Sequence, residues 1–172
     1  MPAIDKFKAQ ITRQGLLRGN RFKVRLIPPL AIAITGGDDA LERYAHTVAL
    51  PGRSIEGIER EEFGENRTIA TKHTHEDVSI QFYLSEDLRE KRDIEKWQDL
   101  VYNPVQAKYG YYDNYIGQVE IEILNHNHKR KAMYTLQEAY PTSIGSIDLE
   151  FGDSTVKSLS VTFKFRKYLK TD

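Results

Sequence analysis

The sequence contains no cysteine among its 172 residues. Disulfide bonds, thiolate zinc sites and cysteine nucleophiles are therefore all excluded. An excess of one charge is also lacking, because 25 Lys and Arg residues balance 25 Asp and Glu residues. A protein that coats nucleic acid needs a basic excess to displace counterions from phosphates, so this class is disfavoured. A near-neutral chain also experiences little repulsion between copies, which weakly favours self-association.

Long apolar segments are lacking as well. No apolar run approaches the roughly 20 residues that a membrane-spanning helix needs, and residues 1–8 do not have the apolar core of a secretion signal. We therefore expect a soluble protein made in the cytosol, with no insertion of the subunit into a membrane. The length suits one compact domain. We predict a single domain over residues 1–172, in which residues 1–19 form an N-terminal arm with a short amphipathic helix at its start.

Alternating polarity is the main pattern that the chain does contain. Phe22, Val24 and Leu26 alternate with basic residues, which predicts a half-buried strand. Comparable patterns predict strands at 44–50, 67–72, 77–84, 116–124, 131–139, 146–151 and 156–168. One helix is predicted from a capping Ser85 to about Tyr102. The fold class is therefore mainly β, an antiparallel β-barrel or sandwich with one flanking α-helix at about residues 86–102.

Candidates for chemistry are few. The pairs His73/His75 and His126/His128 could contribute to a metal site, but both lie at predicted turns and no further ligands can be named. Carboxylate pairs such as Glu61/Glu62 are typical of solvated strand faces, and no phosphate loop or nucleophile elbow occurs. We therefore predict no enzyme, no catalytic residue, no cofactor and no metal.

A tyrosine group in the loop after the helix is the second candidate. Its members could stack on sugars or bases, but aromatic residues are also enriched at protein interfaces, and we favour the interface. The group comprises Tyr109, Tyr111, Tyr112 and Tyr115.

The ordered motifs of the chain resemble the tail tube protein family of contractile-tailed phages. The resemblance extends from Asn20 to Tyr168, and the order and spacing of its parts are more specific than any one of them. The parts are residues 20–24 (NRFKV), 49–52 (ALPG), 63–69 (FGENRTI), 76–82 (EDVSIQF), 94–98 (IEKWQ), 139–145 (AYPTSIG) and 159–165 (LSVTFKF). Residues 28–39 depart from the family pattern and are interpreted as an extra surface hairpin.

The resemblance implies a structural subunit of the inner tail tube of the virion. Six copies would form a ring whose strands join into one barrel, and stacked rings would make the channel for genome ejection. The implied partners are other copies of the chain, the tail sheath protein, baseplate tube-initiator proteins, the tape-measure protein and viral DNA, which passes without specific binding. Two alternatives stay open: a tube of a phage-derived injection or type VI-like secretion system, and a monomeric β-barrel module that binds sugar or single-stranded nucleic acid.

Two sets of residues are assigned roles in such a tube. Contacts between subunits are predicted for Ile4, Phe7, Ile11, Leu16 and Leu17 of the arm, and for Tyr109, Tyr111, Tyr112 and Tyr115. Acids opposite in phase to apolar residues are candidates for the lumen wall, where negative charge would let DNA slide. These are Glu120 and Glu122, which we slightly favour, and Asp148 and Glu150; an outer position of either pair stays open.

Overall fold

A computed structural model describes residues 3–14, 16–32, 40–62, 64–152 and 154–171. Its helices are α1 (Ala3–Gln14), α2 (Ala40–Tyr44), α3 (Arg89–Val101) and α4 (Tyr112–Tyr115). Its strands are β1 (Phe22–Ile27), β2 (Ala45–Val48), β3 (Arg53–Glu62), β4 (Glu65–His75), β5 (Val78–Tyr83), β6 (Tyr102–Asn103), β7 (Lys108–Tyr109), β8 (Gly117–Leu124), β9 (Arg130–Ile144), β10 (Ser158–Lys164) and β11 (Lys167–Thr171). The prediction of a mainly β, antiparallel fold with a flanking helix is confirmed.

The main sheet has seven antiparallel strands in the order β1-β8-β9-β10-β5-β2, with β11 also paired to β9. Strand β9 is shared by two halves of this sheet. Its residues up to Ala139 pair with β8 and β11, whereas residues from Tyr140 onward pair with β10. Between these parts Glu138 has a positive φ of 55°, and β10 has a register shift at Thr162/Phe163. Such irregularities bend strands. We call β1-β8-β9-β11 the first half-sheet and β9-β10-β5-β2 the second.

The core comprises apolar side chains from both half-sheets. Burial alternates along β1, β5, β8 and β10, as the polarity pattern predicts. Full burial is reached by Val24, Leu26, Val119, Ile121 and Leu136 of the first half-sheet and by Val78, Ile80, Phe82, Val161 and Phe163 of the second. The sheet is not closed into a barrel. Strands β1 and β2 end the pairing path and come near each other, but no ladder joins them in the described part of the chain.

Helix α3 is fixed to this core by Trp97. The indole is 2% exposed, its Nε1 donates to the Tyr115 carbonyl at 2.7 Å, and its ring lies against Phe163. Gly117 passes so close that an added Cβ would lie 2.6 Å from Trp97 Cζ2. A side chain at residue 117 is therefore excluded by the packing of the helix.

The predicted start of this helix is wrong. It begins at Arg89, after Leu88 in a left-handed conformation without a side-chain cap. The Ser85 hydroxyl donates to the Glu90 carboxylate at 2.8 Å, and the Ser85 N–H donates to the same oxygen at 3.0 Å. Because Glu90 is buried and needs donors, Ser85 binds this carboxylate instead of a helix N–H group.

A strand at residues 146–151 was also predicted and is wrong. Among the described residues between Ile144 and Ser158, no strand is present. Leu149 is 83% exposed and Phe151 is fully exposed, so the apolar half of this alternating pattern does not enter the core. Alternation predicts a strand only where a partner strand is available. Most of the proposed hairpin at residues 28–39 lies outside the described residues, and Ile32 closes a turn by donating its N–H to the Pro29 carbonyl.

Strands β3 and β4 form a separate two-stranded sheet, which we call the long hairpin. Their pairing extends from Arg53/His75 to Glu62/Glu65. The described side chains of β3 are all exposed, so the long hairpin projects from the core. Among the described helices, none has the length and apolar character needed to cross a membrane.

Candidate functional site: assembly surfaces

The long hairpin presents apolar side chains that are exposed in the described part of the chain. Ile55 is 66% exposed, Ile58 is 57% exposed and Ile69 is 40% exposed. Ile58 and Ile69 are cross-strand neighbours, so their side chains form one patch. An isolated two-stranded hairpin is only marginally stable in water. The long hairpin is therefore a surface that a partner can stabilise.

The base of the long hairpin is attached to the main sheet by aromatic contacts. The His75 ring lies 5.4 Å from Phe165 and 5.1 Å from Tyr168, and the Arg53 guanidinium lies 5.3 Å above the Tyr168 ring. Burial is the largest cause that lowers the pKa of His75, and the nearby His73 and Arg53 lower it further. Burial disfavours the charged imidazole because it removes water, and the two basic neighbours repel its positive charge. The cluster therefore attaches the hairpin base through ring contacts, and the protonated form of the imidazole is disfavoured there.

The two predicted histidine pairs lie in separate environments, and the rings of His73 and His75 contact each other with centroids 4.3 Å apart. His73 and His75 belong to β4, so their placement in a turn was wrong, whereas His126 and His128 do lie in the β8–β9 turn. No group of three His, Asp or Glu side chains in the described part of the chain is arranged to hold a metal ion.

The N-terminal arm is the second exposed apolar surface. Ile4 is 65% exposed and Phe7 is 63% exposed on α1, and Leu16 and Leu17 after it are 72% and 69% exposed. The predicted amphipathic helix is confirmed, while the side chain of Ile11 lies outside the described part. A helix of 12 residues is marginal in water without tertiary contacts.

The four loop tyrosines divide into two pairs. Tyr109 and Tyr111 are 75% and 76% exposed and are available to a partner. Tyr112 donates its hydroxyl proton to Glu138 at 2.9 Å, and Tyr115 packs edge-on against Tyr140. Tyr112 and Tyr115 therefore attach the loop to β9 of the same chain.

Glu138 connects this loop to the end of the main sheet. It accepts from Tyr112 and, at 2.9 Å, from the Arg166 guanidinium. The Tyr112 bond and then Arg166 keep the pKa of Glu138 below its usual value. Burial, followed by the bond to this carboxylate, raises the pKa of Tyr112 to about 12.

The first half-sheet has two free edges. In the described residues, β1 pairs only with β8 and β11 pairs only with β9. Because all pairs are antiparallel, β1 and β11 run in opposite directions. The second half-sheet differs, since α3 packs along β9 and Gln98 donates its side-chain amide to the Thr142 carbonyl at 3.2 Å. Within the described residues, the first half-sheet therefore ends on both sides in a strand that has no second strand partner.

The outer face of the first half-sheet carries the favoured lumen candidates. Glu120 pairs in register with Arg25, and Glu122 with Lys23. Glu122 also lies 3.6 Å from the Arg130 guanidinium, while Lys23 Nζ lies 3.1 Å from Glu42. This face is therefore one of mixed charge. Asp148 and Glu150 are exposed in the loop between β9 and β10 and are not part of this face.

Sequence reasoning missed the length of the long hairpin and the free edges of the first half-sheet. Strand β3 contains few apolar residues, and Ile55 and Ile58 are three residues apart, which is not the spacing of a half-buried strand. The only available signal was the pattern of β-branched residues around Ile69. The edges depend on strand order, which local pattern does not contain.

Comparisons with known proteins agree with this architecture. A family model described as phage tail tube protein matches residues 17–171, which confirms the resemblance of the motifs. A chain of the anti-feeding prophage baseplate, symmetrised six-fold, has a TM-score of 0.67 and 17% identity, covering 91% of this chain and 95% of that one. A chain of the sheath–tube complex of an extracellular contractile injection system has a TM-score of 0.68 and 13% identity, covering 95% and 96%. A comparison with curated protein sequences finds no match.

Proposed function

Because the chain belongs to the phage tail tube protein family, and is thus a structural, non-enzymatic component of a tail tube, we propose that it forms stacked hexameric rings in the tube of a contractile tail. The observation that carries the hexameric ring is the first half-sheet with its two free, oppositely directed edges. Residues 1–172 act as one tail-tube domain, with the arm at its N-terminus.

Ring closure follows from the strand directions. In a ring with rotational symmetry, β11 of one copy meets β1 of the next, and the two strands are antiparallel. Six copies of the four-stranded half-sheet give 24 strands. At about 4.8 Å per strand, the backbone ring is about 115 Å around and about 37 Å across. Tilt of the strands widens this further. Such a ring removes both free edges, which otherwise invite uncontrolled association.

The contractile assignment rests on the similar structures. The fold is shared with chains from a sheath–tube complex and from a baseplate symmetrised six-fold. By analogy the partners are a contractile sheath around the tube, baseplate tube-initiator proteins at its base and a tape-measure protein within it. In a phage the cargo is DNA, which slides through without specific binding, and assembly takes place in the host cytoplasm. In a phage-derived injection system the cargo would be an effector.

The charged face of the first half-sheet would form the channel wall in such a ring. Glu120 and Glu122 then line the lumen, as favoured from the sequence, but Lys23 and Arg25 stand beside them. A wall in which acids neutralise the bases holds phosphates less tightly than a basic wall would. Asp148 and Glu150 belong to a loop and take no part in this wall.

The projecting surfaces provide the contacts between rings. The arm residues Ile4, Phe7, Leu16 and Leu17, together with Tyr109 and Tyr111, are exposed in the single chain. We expect them to become buried in the tube, with interfaces above about 2,000 Å² per pair, as is typical of obligate contacts.

Electron microscopy of the purified full chain tests the proposal. We expect six-fold rings or tubes, and cysteine pairs placed on β1 and β11 should form covalent ladders under oxidation, because the chain has no other cysteine. Matched pairs on β2 and β11 serve as the control and should stay uncrosslinked. A protein that sediments as a monomer at high concentration would refute the tube and favour a monomeric binding module.

A further inference from the structure

We propose that the arm of one copy packs against the long hairpin of another copy, through an apolar contact flanked by basic side chains on the arm and acidic side chains on the hairpin. This contact rests on the proposed self-assembly and specifies which two surfaces meet. Both surfaces are exposed in the single chain.

The arm is strongly basic. Residues 3–18 contain four basic side chains and one acidic side chain, Asp5, which gives a net charge of +3. The basic members are Lys6, Lys8, Arg13 and Arg18. Ile4 and Phe7 lie on one side of α1 at helical spacing, and Lys8 is one turn after Ile4, so a cation borders the apolar stripe.

The long hairpin has an acidic face that carries its own apolar residue. Ile55, Glu59 and Glu61 share one side of β3, because successive side chains alternate along a strand. Across the ladder Glu59 faces Thr68 and Glu61 faces Asn66, so neither carboxylate has a cation as its cross-strand neighbour. Residues 59–67 as a whole contain four Glu and two Arg, a net charge of −2. The acidic face is therefore complementary in charge to the arm.

Stability gives a second reason for this pairing. A 12-residue helix and an isolated two-stranded hairpin are each marginal alone in water. Each exposes apolar side chains that are 63–66% accessible, namely Ile4 and Phe7 on the helix and Ile55 on the acidic face of the hairpin. A contact that buries both surfaces stabilises both elements, and opposite charges around it fix the orientation and discourage contact between like surfaces.

Charge reversal tests this contact. The arm variant is Lys6→Glu/Lys8→Glu, and the hairpin variant is Glu59→Lys/Glu61→Lys. Each is made in the full chain and checked for wild-type folding by circular dichroism. Assembly is measured by sedimentation and negative-stain microscopy as the concentration at which half of the protein enters rings or tubes. We expect this concentration to rise at least about tenfold for either variant, because attractive pairs become repulsive.

Mixing the two variants distinguishes contact between copies from contact within a chain. In the mixture the acidic arm of one variant meets the basic hairpin of the other, so assembly should return to near the wild-type concentration. A contact within one chain would not be restored by mixing. The control places Glu86→Lys/Asp87→Lys, at an exposed acidic pair outside the hairpin, in the same chain as the arm substitutions, which restores the net charge without changing the hairpin and should not restore assembly.

The outcomes separate this contact from the proposed function. Three outcomes would each overturn the contact while leaving the tube assignment intact. These are wild-type assembly with unaffected variants, failure of the variant mixture, and restored assembly of the control chain. Absence of assembly by the wild-type chain would instead refute the tube assignment.

Discussion

Replacement of Trp97 is the most informative test of the attachment of α3 to the sheet. The indole is 2% exposed and its ring centroid lies 5.8 Å from that of Phe163. Truncation to alanine removes these contacts and leaves a cavity beside β9 and β10. We therefore expect Trp97→Ala to lower the free energy of unfolding by about 3–5 kcal/mol, the usual cost for a buried aromatic residue.

Trp97→Phe isolates the hydrogen bond. Phenylalanine keeps part of the ring packing but cannot donate to the Tyr115 carbonyl, which Trp97 Nε1 contacts at 2.7 Å. An acceptor left without its partner costs about 1–3 kcal/mol. The loss for Trp97→Phe should therefore be clearly smaller than that for Trp97→Ala.

Gly117→Ala probes the same contact from the strand. The added Cβ would lie 2.5 Å from the Ile27 carbonyl oxygen and 2.6 Å from Trp97 Cζ2, so overpacking should cost about 1–3 kcal/mol. Gly117 contacts the distal, six-membered ring of the Trp97 indole. The shorter phenylalanine side chain lacks this second ring. The double variant Trp97→Phe/Gly117→Ala should thus lose at least about 0.5 kcal/mol less than the sum of the single losses.

Urea unfolding followed by far-ultraviolet circular dichroism measures these losses. It is performed below the concentration of ring assembly, since association shifts the apparent stability. Val105→Ala, at a side chain that is 92% exposed, is the control and should stay within about 0.5 kcal/mol of wild type. A loss below about 1 kcal/mol for Trp97→Ala, or strict additivity in the double variant, would refute the packing described for α3.

Three further predictions concern the surfaces around the core. Deletion of residues 1–15 should leave a folded subunit that polymerises poorly, because the arm contributes contacts to neighbours and not to the core; normal tubes would show the arm to be dispensable. Because the pKa of His75 is lowered in the folded chain, the unfolded chain binds more protons below about pH 6.5, and the free energy of unfolding decreases as the pH is lowered. His75→Phe should reduce this decrease, and an unchanged difference in unfolding free energy between pH 7.5 and pH 5.5 would contradict the prediction. Glu138→Gln should lower the Tyr112 pKa from about 12 yet leave it above 10, because burial, the larger cause, remains. The Tyr112 pKa is measured by subtracting the titration curve of a Tyr112→Phe chain, and a pKa equal to that of wild type would exclude the interaction with Glu138.

Local pattern predicted much of the fold because alternation depends on neighbours in sequence. The strands near β1, β5 and β8 were predicted within about two residues, and the burial of Val24, Ile80 and Ile121 follows their phase. The ordered motifs were sufficient for the family, which the match over residues 17–171 confirms. Turn chemistry, strand phase and the single tryptophan are all properties of short segments, so they can be read without knowledge of the fold.

Tertiary structure decided what depends on partners distant in sequence. Whether Ser85 caps a helix depends on the buried Glu90 carboxylate, and whether Leu149 enters a core depends on the presence of a strand beside it. The division of the loop tyrosines depends on Glu138 and Tyr140 of β9. Glu120 acquires Arg25 as a neighbour only through the β1–β8 register. A period of two assigns a side chain to one face of a strand, but the pairing of strands determines what that face meets.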